Sequence, residues 1–130
     1  MTKKAILCVD DEKTILDSIR GQLKYKFGNQ YNYEFAESAY EAWEIILDLE
    51  EDGVNLLLIV SDWLMPGIKG DEFLVKVHER FPKVIKVMLT GQADPENIEN
   101  AMKNANLYKC LSKPWQQEEL YEMIEYSMSL

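Results

Sequence analysis

Leu56 to Val60 is an unbroken run of five apolar residues closed by Ser61-Asp62. A short aliphatic run bounded by polar residues reads as a strand buried on both faces, the environment of a central strand in a parallel sheet. Pro66, Gly67 and Gly70 then break regular structure, which puts Asp62 at the mouth of a loop. In open parallel sheets, ligand-binding and catalytic groups collect just beyond the carboxyl ends of the strands. A chain built around such a strand must surround it with other strands and with helical crossovers.

The rest of the sequence supplies them. Ala5 to Val9 forms a first apolar run, ended by Asp10-Asp11, and from Glu12 the period lengthens: Ile15, Ile19 and Leu23 mark one face of a helix ending near Gly28. Tyr31 to Ala36 alternates in part, as a strand near an edge does. Ser38 with Glu41 suggests a capping box for a second helix, which buries Ala39, Ala42, Trp43 and Ile46 and stops at Asp52-Gly53. A third helix, about Asp71 to Arg80, is stopped by Pro82. Val84 to Leu89 is the fourth strand, followed by Thr90-Gly91. Asp94-Pro95 opens a fourth helix whose Ile98, Ala101, Met102 and Ala105 form a stripe. Leu107 to Leu111 is the fifth strand, followed by Ser112, Lys113 and Pro114, and a last helix carries Leu120, Tyr121, Met123 and Ile124. Strand and helix therefore alternate five times. This is an α/β, doubly wound, five-stranded parallel sheet of the flavodoxin-like (βα)5 kind, most simply in the order 2-1-3-4-5.

The chain has 130 residues, which suits one domain over 1–130. Its apolar runs are far shorter than the ~20 residues of a membrane helix. The opening MTKKAILCVDDE lacks the h-region of a secretory signal, so a cytoplasmic protein is expected. A net charge of −9 argues against a basic surface for nucleic acid or anionic lipid. Cys8 and Cys110 read as buried free thiols, since the strand order separates them by roughly 14 Å at about 4.8 Å per strand. The chain is either a single-domain protein or, as the uncapped end at Ser127-Met128-Ser129-Leu130 suggests, a domain cut from a longer one.

The carboxyl rim is the informative part. Asp10 and Asp11, Asp62, Thr90 and Lys113 all fall at strand ends, and the assumed order brings them together. Each like-charged pair at 4 Å costs about 1–4 kcal/mol for effective dielectrics of 80 to 20. Lys113 offsets one carboxylate, and the excess calls for a hard divalent cation such as Mg²⁺. Read singly, these residues have plainer roles: Asp10-Asp11 as a helix start, Asp62 as a turn, Thr90 as a backbone partner, Lys113 as a solvated amine. His78 reads as a surface residue, and the helical Met and aromatic positions as core.

Taken together, Asp10-Asp11, Asp62 with Met65-Pro66-Gly67, Thr90-Gly91 and Lys113-Pro114 resemble the receiver domain of bacterial two-component response regulators, over essentially the whole chain. The resemblance implies that Asp62 takes a phosphoryl group from a sensor histidine kinase or a phosphotransfer protein. It implies Mg²⁺, with Mn²⁺ as a substitute, on Asp10, Asp11, Asp62 and the backbone carbonyl of Leu64. It further implies that Lys113 and Thr90 bind the phosphoryl oxygens, with Thr90 drawing the following helix inward, and that the Lys113-Pro114 bond is cis. The changed surface of helix four and strand five then controls an output domain or a downstream protein, and a phosphorylation-dependent homodimer is allowed. Many receivers carry a switching aromatic where this chain has Cys110; Tyr108, two residues earlier and expected on the same strand face, is the substitute. Leu64 and Gln92 flank the pocket, and an apolar Leu64 suggests a long-lived acyl phosphate. The alternative is a phosphatase or phosphotransferase of the haloacid-dehalogenase type. That chemistry needs Asp-x-Asp-x-Thr, and Asp10 to Thr14 has Glu12 where the second aspartate should stand. A flavodoxin-like electron carrier is disfavoured because Asp10-Asp11 would repel a flavin phosphate.

Overall fold

The computed structural model describes residues 3–65, 67–91 and 95–129. Strands β1 (Lys4–Val9), β2 (Asn32–Ala36), β3 (Asn55–Asp62), β4 (Ile85–Thr90) and β5 (Lys109–Ser112) alternate with helices α1 (Lys13–Phe27), α2 (Ala39–Glu51), α3 (Gly70–Arg80), α4 (Pro95–Asn104) and α5 (Gln117–Met128). All adjacent strands are parallel, in the order β2-β1-β3-β4-β5. The side-chain period of two divides the strands between two cores. Ile6, Cys8, Leu58, Val60, Val87, Leu89 and Leu111 face α1 and α5, whereas Leu7, Val9, Ile59 and Met88 face α2, α3 and α4. This is the doubly wound fold expected from the alternation. Both cysteines are free, although Cys110 is only half-buried.

Local chemistry explains most boundaries. Ser38 Oγ accepts from the Glu41 N–H at 3.1 Å, so α2 begins on an N-cap. At the start of α5 a capping box joins Gln116 and Glu119 instead. The third strand runs two residues beyond the apolar stretch. Ser61 and Asp62 pair with Met88 and Leu89 of β4, and Asp62 is thus the last strand residue rather than part of a loop. Paired backbone and neighbouring strands bury these polar residues where hydropathy alone predicts an exit. Gly70 likewise belongs to the first turn of α3, and the expected Asp94 cap lies outside the described residues. Several expected core positions are otherwise: Tyr25, Tyr40, Met102 and Tyr126 are exposed, and Trp43 and Met128 are only partly covered. His78 is partly buried rather than a surface residue.

Lys86 departs furthest from pattern. It sits mid-strand in β4, 1% exposed, with its ammonium against the Val84 carbonyl. Burial pulls its pKa down to about 8 from 10.5. Between those values the unfolded chain binds more protons than the native one, so native stability rises with pH from about 8 to 10.5. At pH 7 the buried charge costs about 3 kcal/mol. Lys86→Met will therefore stabilise the protein in urea melts at pH 7, and the advantage will shrink by pH 10. Equal midpoints for both proteins at pH 7 would contradict this account.

Candidate functional site

The carboxyl ends of β1, β3, β4 and β5 converge. Asp10 follows β1 directly, its N–H donating to the Ala36 carbonyl at 3.0 Å, and its side chain is fully buried. Asp10 Oδ1 accepts from the Glu12 N–H at 2.8 Å, which folds the β1–α1 turn back over the carboxylate. Asp62, 6% exposed, ends β3, and the Trp63 N–H continues the ladder to the Leu89 carbonyl at 3.0 Å. Thr90, the last residue of β4, is buried opposite Ser112. Lys113 follows β5, tied by its N–H to the Thr90 carbonyl at 2.9 Å, and the Lys113-Pro114 peptide is cis.

One carboxylate oxygen each from Asp10, Asp11 and Asp62 lies within 4.8 Å of the others. Lys113 Nζ reaches Asp10 Oδ2 at 2.7 Å and Asp62 Oδ1 at 3.2 Å. Glu12, missed as a site residue, adds a fourth carboxylate at 3.9 Å from the same ammonium. The cluster is asymmetric: Asp10 and Asp62 are buried, whereas Asp11 and Glu12 face solvent. An open cleft of about 760 Å³ lies over it, bounded by Asp11, Glu12, Asp62, the Trp63–Leu64–Met65 loop, Gly91 and Lys113. Such a volume holds a hydrated ion and a phosphoryl group together.

Charge and burial set the proton affinities. Burial pushes the Asp62 carboxyl up to about 6, the Asp10 charge adds to the rise, and Lys113 partly opposes it. For Lys113, burial alone would lower the value. The hydrogen bond to Asp10 and the negative charges of Asp62 and Asp10 outweigh it, so the ammonium is held above its ordinary range. Asp62 is thus mostly ionised at pH 7 and Lys113 is charged, a combination suited to a carboxylate nucleophile beside an anion-binding cation.

The structure also places the chain's glycines and aromatics. Gly70 is buried against the backbone of Asp62 and Trp63, and its N–H donates to the Trp63 carbonyl at 2.6 Å. Tyr108 is corrected: it precedes β5 and packs with the α1/α5 core, whereas Cys110 packs with the opposite one. Asn106 takes a left-handed backbone (φ 52°) just before, so regular alternation starts only at Lys109. The Tyr108 ring instead stacks on Tyr126 of α5 at 5.5 Å. Leu64 is 61% exposed at the cleft, and Gln92 lies outside the described residues.

Residues 6–125 match the family model of the response regulator receiver domain. The chain belongs to this family. Its function is that of a regulatory phosphoacceptor domain rather than a true enzyme, which decides against the haloacid-dehalogenase reading. Among curated relatives, the hydrogenase transcriptional regulatory protein HoxA of Cupriavidus necator is 31% identical over 123 residues, 95% of this chain and 24% of that protein. The receiver domain of an HD domain-containing protein from Pseudomonas fluorescens Pf-5 superposes with a TM-score of 0.87 at 26% identity, covering 98% of this chain and 95% of that one. A CheY-like receiver domain protein from Methanospirillum hungatei JF-1 gives a TM-score of 0.84 at 31% identity, with 98% and 95% covered. The chain spans about a quarter of the length of the HoxA proteins it matches. A receiver implies a kinase partner. No helix among the described residues is long and apolar enough to cross a membrane.

Proposed function

We propose that Asp62 is the phosphoacceptor, with Asp10, Asp11, Asp62 and the Leu64 backbone carbonyl as the metal site and Lys113 and Thr90 as phosphoryl partners. The observation that carries this reading is the ion triad of Lys113 with Asp10 and Asp62 beside a third carboxylate. Three carboxylates against one ammonium leave a net negative cup of hard oxygen ligands, which fits Mg²⁺, with Mn²⁺ as a substitute. When bound, the ion supplies charge neutralisation that lets one anion attack another.

The chain's own residues do the rest. Asp62, oriented by the 3.2 Å contact of its Oδ1 with Lys113, supplies the attacking carboxylate oxygen. It forms a bond to phosphorus as the P–N bond of a kinase phosphohistidine breaks, and the imidazole nitrogen leaves with the electron pair. Lys113 then pairs with a phosphoryl oxygen, and the Thr90 hydroxyl donates to another, moving the β4–α4 connection. The acyl phosphate on Asp62 makes the α4–β5 surface the output, read by a partner domain, a downstream protein or a second copy of the chain. The donor is a sensor histidine kinase or a phosphotransfer protein, and the chain works in the cytoplasm.

Labelling with radioactive acetyl phosphate tests the assignment. With Mg²⁺ the protein will take up one phosphoryl group per chain, stable in acid and labile in base, and Asp62→Asn will lower uptake at least a hundredfold. Label that survives in Asp62→Asn, or multiple turnover of a phosphomonoester, would rule the assignment out.

A further inference from the structure

α4 packs on the core through Ala101 and the partly buried Ile98. Of its ten residues only Ala101 is buried, and Met102 is half exposed. A polar link joins α4 to α3 beside this apolar contact. Asn100 Nδ2 donates to Asp71 Oδ2 at 3.0 Å, and Asn104 Nδ2 donates to Asn100 Oδ1 at 2.6 Å. Asp71 is 3% exposed, in the first turn of α3, where the helix dipole favours its charge. Its other oxygen, Oδ1, is buried and has no hydrogen-bond partner among the described residues. A carboxylate buried and satisfied on one side only is an expensive way to join two helices. Apolar residues would hold them more firmly, so the arrangement favours a joint that can open.

The location gives the joint a purpose. Asp71 follows Gly70, which is wedged against the backbone of Asp62 and Trp63. One end of the bond therefore rests on the seat of the phosphoacceptor, and the other on a helix that buries only one of its own residues fully. We propose that the Asp71–Asn100 hydrogen bond is a clasp that holds α4 on α3 in the unphosphorylated protein and opens as Asp62 becomes acylated. The proposal rests on the receiver assignment and adds to it a specific restraint on α4. A restraint present in only one of two states biases the equilibrium against the other by its own strength. For one buried hydrogen bond to a carboxylate, that bias is about tenfold to a hundredfold.

Beryllofluoride, which mimics the phosphoryl group, tests the clasp when titrated at saturating Mg²⁺ into the 130-residue chain and followed by tryptophan fluorescence. Asn100→Ala and Asp71→Ala will each bind it about tenfold to a hundredfold more tightly than wild type. The double variant will gain no more than either single one, because both remove the same bond. Asn100→Asp keeps the side chain's size and puts a carboxylate where the donor was, and it will also bind more tightly. Mere structural damage would instead weaken binding. Unchanged or weaker binding, or gains that add in the double variant, overturns the clasp. A wild-type protein that binds no beryllofluoride overturns the receiver assignment and the clasp with it.

Discussion

Gly70→Ala will lower stability by about 4 kcal/mol or more, at the far end of single-residue effects. For a chain of this size that is a fall in melting temperature of roughly 12 °C or more. The reason is steric, not conformational freedom. A Cβ on Gly70 would stand 2.8 Å from Trp63 Cα and closer still to the Asp62 carbonyl oxygen, and both are backbone atoms. No rotamer change relieves such a clash; either α3 must withdraw or the end of β3 must shift. The second course moves Asp62 itself. A displacement of about 1 Å would break its 3.2 Å contact with Lys113, so acetyl phosphate labelling should fall about a hundredfold as well. Gly21→Ala is the control. It lies in the interior of α1 with nothing within 4 Å of an added Cβ, and it should gain about 0.5–1 kcal/mol from helix propensity. A Gly70→Ala protein that melts within two degrees or so of wild type would show that the first turn of α3 is not packed on the acceptor strand.

That contact also marks the limit of sequence reading here. Pro66, Gly67 and Gly70 look alike as breakers, yet Gly70 is a helical residue selected by a close approach of two backbones. Close approach is a tertiary fact with no local signature. The overall topology was legible because alternating apolar runs and helical stripes leave a parallel, doubly wound sheet as the simple way to bury all of them. The rim was legible for a related reason: once the strand order is set, residues at strand ends must be neighbours, and Asp10, Asp62 and Lys113 were readable as one group. Errors gathered where burial is decided by partners. Ser61 and Asp62 are polar yet inside β3, because β4 pairs with them. Met102 fits the helical stripe of α4 but is exposed, since periodicity gives a face and not what covers it. Tyr108 missed its assigned face because the left-handed Asn106 delays the start of β5. Lys86 gave no warning at all: a lysine in an apolar strand reads as solvent-facing, and its burial comes from the α3/α4 layer and the Val84 carbonyl.

The acceptor itself should be a site of stored instability. In Mg²⁺-free buffer at pH 7.5, Asp62→Asn will stabilise the protein by roughly 3 kcal/mol, or about 9 °C in melting temperature. Asp62 is buried beside the Asp10 charge, and its carboxyl titrates near 6 in the native state, against 3.8 as the ordinary value. Between those two values the native protein binds a proton that the unfolded chain has already lost. The stability this supplies is complete below about pH 4 and is lost as pH rises through 6, beyond which the ionised carboxylate is a fixed cost. The difference between Asp62→Asn and wild type should therefore be small at pH 4, grow up to about pH 6 and level off above it. Asparagine leaves the 2.7 Å pair between Lys113 and Asp10 in place, so the substitution removes the strained charge without stranding the other one. Magnesium reverses the comparison. Millimolar Mg²⁺ should raise the melting temperature of wild type much more than that of Asp62→Asn, because the repulsion within the carboxylate cup is what a cation relieves. A variant advantage that persists undiminished in Mg²⁺, or that is already full at pH 4, would mean that Asp62 is not the strained member of the cup. The same repulsion that weakens the metal-free fold then supplies affinity for the ion and, after it, reactivity towards the phosphoryl group.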